Sequence, residues 1–324
     1  MRRRSALFLG VDGGGTKTQF ALVDDEGSVL ASCEGPGSYH IELGMEGVRT
    51  VLAKGLGALF AQADVDGGAV ANAFFGLPAY GEDSAAQNVL DAMPHALLGH
   101  HRYRCGNDMV CAWAGSLAGE DGINIVAGTG SIAYGQRKGR AARAGGWGEA
   151  FSDEGSAYWI AVQGLNSFTR MSDGRLPRGP LHAAVRAAFD LDTDLDLCAK
   201  LADARARERI AALSQLVARA AQEGDPSAIG IFENAARELV CIVEAVRRAL
   251  EFAAGESVPL SYSGGVFNAG DLILHPLRRH IDALSATYDL RAPMLAPALG
   301  AALYAASIAG RPLSPAAIGR LAAL

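Results

Sequence analysis

The sequence lacks any long hydrophobic run. No stretch approaches the roughly 18 to 20 consecutive apolar residues that a membrane helix requires. Met1-Arg2-Arg3-Arg4 ahead of Ala6 to Val11 imitates a signal peptide, but the apolar run is too short and enters a glycine-rich loop instead of a cleavage site. An excess of positive charge is also missing. The formal net charge is -6, which argues against nucleic acid as the main partner. The five cysteines, Cys33, Cys105, Cys111, Cys198 and Cys241, are scattered and form no C-x-x-C pair, so neither a disulfide framework nor a thiolate metal site is indicated. The seven histidines offer no ligand cluster, since the adjacent His100 and His101 cannot share a helical face. A cytoplasmic protein is expected.

Two familiar phosphate-binding patterns are absent as well. Gly10-x4-Gly15 is followed by Thr16-Lys17, so G-x-x-x-x-G-K-[ST] is missed, and G-x-G-x-x-G also fails at this loop. What stands there instead is a pair of apolar runs, each ending in a glycine turn that carries a threonine. Leu7 to Val11 leads into Asp12-Gly13-Gly14-Gly15-Thr16-Lys17, and Ile123 to Ala127 leads into Gly128-Thr129-Gly130-Ser131. Backbone N–H groups reach phosphate oxygens closely where no Cβ intervenes, and hydroxyl donors add to the cradle. The spacing suggests paired loops, one from each half of a molecule, closing on one polyphosphate. Asp12 is placed to hold a Mg²⁺–phosphate complex through water. These features point to a nucleotide-dependent phosphotransferase.

A chain of 324 residues, half hydrophobic and a fifth charged, suits two globular domains. Gln19 to Val23 reads as a strand returning from the first loop, and Asp24 to Gly27 as the turn into Val29 to Cys33. Apolar spacing predicts a helix over Met45 to Gln62, a strand over Ala73 to Leu77, another over Tyr103 to Asn107, and a helix over Asp108 to Ala118. Beyond the second loop, Ala133 to Gly135 and the basic stretch Arg137 to Arg143 suggest a second hairpin with a solvated turn. Helices are expected over Ala157 to Phe168, Leu195 to Gln222, Ile229 to Phe252 and Pro297 to Ala309. A strand over Val258 to Tyr262 runs into a third glycine turn, Ser263-Gly264-Gly265-Val266. The two halves open alike, which implies a structural repeat.

These three turns resemble the nucleotide-binding segments of the sugar kinase/Hsp70/actin superfamily. Within it, Gly145-Gly146-Trp147-Gly148-Glu149 followed by Ser152-Asp153-Glu154-Gly155-Ser156-Ala157-Tyr158-Trp159-Ile160 resembles the N-acetylglucosamine kinases of the BadF/BadG/BcrA/BcrD ATPase family. The resemblance implies an α/β fold of two actin-like ATPase (ribonuclease H-like) domains, mixed sheets flanked by helices, with an interdomain cleft. Residues 1–117 would form the first domain. Residues 118–324 would form the second, with a helical insertion and a last helix able to pack back on the first. The implied activity is ATP- and Mg²⁺-dependent phosphorylation of an amino sugar, N-acetylglucosamine at its 6-hydroxyl foremost, by a homodimer. Glucosamine kinase, a dehydratase activator and a non-catalytic sugar sensor remain alternatives.

The resemblance also assigns roles. Asp108 would be the catalytic base. Gly13, Gly14, Gly15, Thr16, Lys17, Gly128, Thr129, Gly130, Ser131, Gly264 and Gly265 would hold the nucleotide. Ser38, Tyr39, His40, Asn107, Asp108, Gly146, Trp147, Gly148 and Asp153 would meet the sugar. Plainer readings stand beside these. Asp108 is also a good N-cap for a helix starting near Met109, and Asp153 with Ser156 reads as helix-start chemistry. Lys17 reads equally as a solvated hairpin charge. Trp147, between glycines, is hard to place in an ordinary core. Tyr39 departs from the family pattern, in which an amide stands, and this leaves open which amino sugar the pocket takes.

Overall fold

The computed structural model describes residues 5–202, 207–253 and 255–324. The chain forms two compact units, Met1–Asp121 with Ala292–Leu324, and Gly122–Arg291. It therefore crosses between them twice, and the C-terminal segment belongs with the first.

The first unit runs β1 (Leu7–Gly13), β2 (Lys17–Asp24), β3 (Val29–Pro36), α1 (His40–Ala63), β4 (Val70–Leu77), α2 (Ser84–Leu98), β5 (Tyr103–Asn107) and α3 (Met109–Ser116). Its five strands lie in the order β3-β2-β1-β4-β5. β1 pairs antiparallel with β2, from Leu7 opposite Asp24 to Gly13 opposite Thr18, and parallel with β4 on its other side. β1 and β4 are almost wholly buried, as continuous apolar runs are when both faces of a sheet are covered. Leu9, Val11, Phe20, Leu52, Leu59 and Phe75 belong to this unit's core.

The second unit runs β6 (Gly122–Ala127), β7 (Ser131–Arg137), β8 (Arg140–Gly145), α4 (Ala157–Ser172), α5 (Pro180–Phe189), α6 (Asp196–Ala202), α7 (Arg207–Ala212), α8 (Ser214–Gln222), α9 (Pro226–Ala249), β9 (Ser257–Ser263), α10 (Asp271–Asp282) and β10 (Thr287–Leu290). Its sheet has the order β10-β9-β6-β7-β8. Read from the other edge, this is the first sheet again, with β6 in the place of β1 and β9 in the place of β4. The pairing directions agree throughout: β6–β7 and β7–β8 antiparallel, β6–β9 and β9–β10 parallel. The repeat expected from the two glycine loops thus extends to all five strands. Asp225, fully buried, accepts from the N–H groups of Ser227 and Ala228 to start α9 and from that of Leu181 in the first turn of α5.

The chain then returns to the first unit as α11 (Pro297–Ile308) and α12 (Pro315–Ala322). Alanine and glycine let α11 pack closely on both β1 and α3. Asn72 of β4 donates to the carbonyl of Ala305 at 2.8 Å, fixing the helix along its length.

Three expectations change. The stretch 195–222 is not one helix: α7 ends at Ala212 and α8 begins at Ser214, with residues 203–206 of that stretch outside the described residues. The basic turn is not merely solvated. Arg137 lies over the Phe252 ring at 4.7 Å and pairs with Glu256 at 2.6 Å, so its charge is held against the body of the unit. Helices α2, α5, α10 and α12 and strand β10 stand where no element was expected. Among the described residues, no helix is long and apolar enough to cross a membrane.

Candidate functional site

In the first unit, β1 ends at Asp12-Gly13 and the chain reverses through Gly14, Gly15 and Thr16 into β2. The Gly14 N–H donates to the Lys17 carbonyl at 2.8 Å and closes the turn. The segment after β3 crosses this loop backbone to backbone. The Ser38 N–H donates to the Gly14 carbonyl at 3.0 Å, and a Cβ on Gly37 would stand 1.7 Å from the Gly15 carbonyl oxygen. Only glycine fits there. Ser38, His40 and Thr18 are buried, yet among the described residues the Ser38 and Thr18 hydroxyls and both His40 ring nitrogens find no hydrogen-bond partner. Buried polar atoms of native proteins are rarely left in this state. Tyr39 precedes α1, with its ring 6.1 Å from that of His40 and edge-on to it. Lys17 pairs with Glu34 across the hairpin at 2.9 Å, both half exposed.

Asp12 and Asp108 come together because β4 allows it. A Cβ on Gly76 would stand 2.2 Å from the Cys111 sulfur, 3.1 Å from the Asp108 Cα and 3.3 Å from the Val11 carbonyl oxygen. The first turn of α3 therefore lies directly on the ends of β1 and β4. Burial and the neighbouring Asp108 carboxylate push the Asp12 carboxyl up to about 8, against the smaller opposing influence of the Cys111 thiol and Lys17. Asp108 holds the N-cap position but makes no side-chain cap hydrogen bond; its backbone is already helical, at φ -60° and ψ -25°. The local capping bond comes from Asn107, whose side-chain oxygen accepts from the Met109 N–H at 3.1 Å. The residue before it, not Asp108, thus supplies the side-chain bond at the start of α3.

In the second unit, the two remaining glycine turns meet. A Cβ on Gly264, at φ +100°, would lie 2.4 Å from the Ala127 carbonyl oxygen and 2.9 Å from the Gly128 nitrogen. The turn after β9 thus rests on the start of the loop Gly128 to Ser131, as Gly76 rests against the end of β1 in the first unit. That loop is fastened to the block that follows β8. The Ala157 N–H donates to the Gly128 carbonyl at 2.8 Å, and the Ser131 hydroxyl to the Glu154 carbonyl at 2.7 Å. Ser156, not Asp153, caps α4 by accepting from the Trp159 N–H at 3.1 Å. Asp153 is 2% exposed with a left-handed backbone, φ +60°, a conformation that costs most residues about 1 kcal/mol or more. Burial pushes its carboxyl up, while Arg207 and the backbone N–H groups of Gly148 and Ser131 draw it back down. Gly145, Gly146 and Gly148 all have positive φ, and the Gly146 carbonyl is held by Arg143 at 2.8 Å. Trp147 at their centre is 72% exposed, so it is not core.

These loops are comparable with known proteins along nearly their whole chain. The sequence model of the BadF/BadG/BcrA/BcrD ATPase family matches residues 9–305. The chain belongs to this family. Among its relatives, an N-acetyl-D-glucosamine kinase of Dictyostelium discoideum is 28% identical over 92% of this chain and 97% of its own. An N-acetylmuramic acid/N-acetylglucosamine kinase of Clostridium acetobutylicum is 29% identical over 85% of this chain and 90% of its own. Among solved structures, a candidate N-acetylglucosamine kinase of Chromobacterium violaceum superposes with a TM-score of 0.74 at 28% identity, covering 93% of this chain and 99% of that one.

For a member of this ATPase family, the carboxylate pair raises the question of a divalent cation. Among the described residues, no group of three or more His, Cys, Asp or Glu could hold a metal. Two mutually repelling carboxylates do suit Mg²⁺ bound chiefly by phosphate oxygens and water, for which one or two protein ligands are enough. One functional candidate had no sequence signal. Arg207 pairs with Asp153 at 2.5 Å and with Glu149 at 3.1 Å. It lies 54 residues from Asp153 in a charge-rich helical stretch and carries no motif.

Proposed function

We propose that this family member is an ATP-dependent amino-sugar kinase that transfers the γ-phosphoryl group to the 6-hydroxyl of N-acetylglucosamine. Asp108 carries the reading. It is a carboxylate at a strand–helix junction where Asn107 makes the side-chain cap bond, and it is coupled to a second carboxylate on β1. In this role Asp108 accepts the proton of the sugar hydroxyl as that oxygen bonds to the γ-phosphorus. The bond from the γ-phosphorus to the bridging oxygen breaks, and ADP leaves. Mg²⁺ would neutralise phosphate charge, with Asp12 as its contact through water. The backbone of Gly13 to Thr16 and of Gly128 to Ser131 suits phosphate oxygens, and the open turn at Gly264 and Gly265 suits the nucleoside. Ser38, His40 and Asp153 suit the hydroxyl and amide groups of the sugar, and exposed Trp147 suits its apolar face or acyl group.

ADP release measured by a coupled assay across a panel of amino sugars tests the reading. Turnover with N-acetylglucosamine well above that with glucosamine is expected. The opposite order moves the acyl group out of the site, and no sugar-dependent ADP at all removes the kinase assignment.

A further inference from the structure

The pair formed by Arg207 and Asp153 is placed unusually for a surface ion pair. A Cβ on Gly130 would stand 2.5 Å from an Arg207 terminal nitrogen and 2.6 Å from the Asp153 Oδ2. The guanidinium and the carboxylate therefore lie together on the Cα of Gly130, the second glycine of the loop Gly128 to Ser131. Asp153 is buried and in a left-handed conformation, and Arg207 reaches it from α7, an element outside both the loop and the block after β8. Arg207 is also within ion-pair range of Glu149, so one cation stands between two carboxylates.

We propose that Arg207 is a positioning residue, which clamps the Asp153 carboxylate across Gly130 so that the sugar-accepting oxygen and the phosphate loop share one fixed geometry. The proposal rests on the sugar-binding role of Asp153 given above. The donors converging on that carboxyl are an Arg207 terminal N–H and the backbone N–H groups of Ser131 and Gly148; the Glu149 carboxylate also faces it and opposes them. A charge-assisted, directional bond fixes a carboxylate more firmly than a point charge does. Asp153 would remain an ionised acceptor, and a sugar hydroxyl would bind it as donor.

Arg207→Met removes the charge and the fork, whereas Arg207→Lys keeps the charge alone. With purified full-length variants, Arg207→Met should raise KM for N-acetylglucosamine about tenfold or more, the scale of a lost hydrogen bond to a charged group, with KM for ATP nearly unchanged. Loss of the cation lets the Asp153 carboxyl take up a proton more readily, so the acidic limb of kcat/KM for the sugar should move to higher pH. Arg207→Lys should keep the acidic limb near the wild-type position while recovering KM only in part. Equal losses in KM for both substrates and in kcat, with an unmoved limb, would mean bulk support only and overturn the proposal. An unchanged sugar KM in Arg207→Met also overturns it. If Arg207→Met fails to fold, the lysine variant decides alone: wild-type KM for the sugar excludes a directional clamp. Wild-type protein without sugar-dependent turnover would instead remove the underlying kinase reading.

Discussion

At the scale of single residues, a carboxylate at a helix start can serve as a cap or as a base. Aspartate is a favoured cap, so Asp108 taken by itself in the sequence reads first as an N-cap and only second as a base. In the structure Asn107 makes the capping bond and Asp108 does not. Asp108→Asn should therefore leave α3 and ADP binding intact while lowering kcat about 10²-fold or more, the usual range for a lost general base. Calorimetry for ADP and a coupled assay for turnover check the two halves, and unchanged turnover takes Asp108 out of the mechanism. Asp12 makes a second prediction. Its carboxyl titrates near 8 in the folded chain against 3.8 as the ordinary value. Between those limits the folded state holds a proton that the unfolded state has released. Stability without divalent ions should thus be greatest at the acid end of this window and fall as pH rises through it. The slope from this group is at most about 1.4 kcal/mol per pH unit. Asp12→Asn should flatten the slope in denaturant titrations run from pH 5 to 8, and a wild-type curve that rises throughout this range would contradict it.

At the scale of elements, two glycines in the first unit should respond oppositely to the same methyl group. In Gly76→Ala the new Cβ meets the Cys111 sulfur and the Asp108 Cα, so α3 must shift off β4. A destabilisation of about 1 to 3 kcal/mol together with a fall in kcat is expected, read by thermal unfolding and assay. In Gly57→Ala, on the exposed side of α1, the methyl meets nothing within 4 Å. Stability should there rise by about 0.5 to 1 kcal/mol without a change in kcat. This contrast also shows what sequence could carry. The strand, glycine loop and returning strand at β1–β2 and β6–β7 were legible because turn chemistry and buried apolar runs are local signals. The start of α9 is a local signal of the same kind, an Asp225 cap followed by Pro226. Strand β10 was not, since four residues with every second one exposed carry almost no pattern. Helix α2 was hidden by Pro94 within it, a residue that ordinarily ends a helix. The close approach at Gly76 was invisible because its partners lie on β1 and α3. Arg207 was missed for a related reason: its partner lies on another element, and its own stretch of sequence carries no motif.

At the scale of the whole molecule, chain connectivity and core membership do not coincide. The second unit is continuous, Gly122–Arg291, and has its own buried cluster, in which Ile125, Phe168, Phe232, Leu239, Val243 and Leu260 take part. The first unit is interrupted: α11 lies on β1 and α3, the elements that carry Asp12 and Asp108, yet arrives only after the second unit has been passed. Removing residues 292–324 would uncover the α11 face of β1, where a Cβ on Gly10 would already stand 2.1 Å from the Ala298 carbonyl oxygen. A fragment spanning residues 122–291 should consequently unfold cooperatively on its own, whereas residues 1–121 alone should not. Addition of the 292–324 segment as a separate peptide should restore cooperative unfolding to 1–121, since it returns the buried surface without changing the sequence of either piece. Two-state melting of 1–121 without the peptide would show that α11 is dispensable to that core. The dependence has a consequence for activity, because a truncation far along the chain from Asp12 and Asp108 removes the helix that both of their elements rest on. Loss of turnover in the 1–291 truncation should therefore accompany loss of the first unit's structure, with the second unit's melting transition retained.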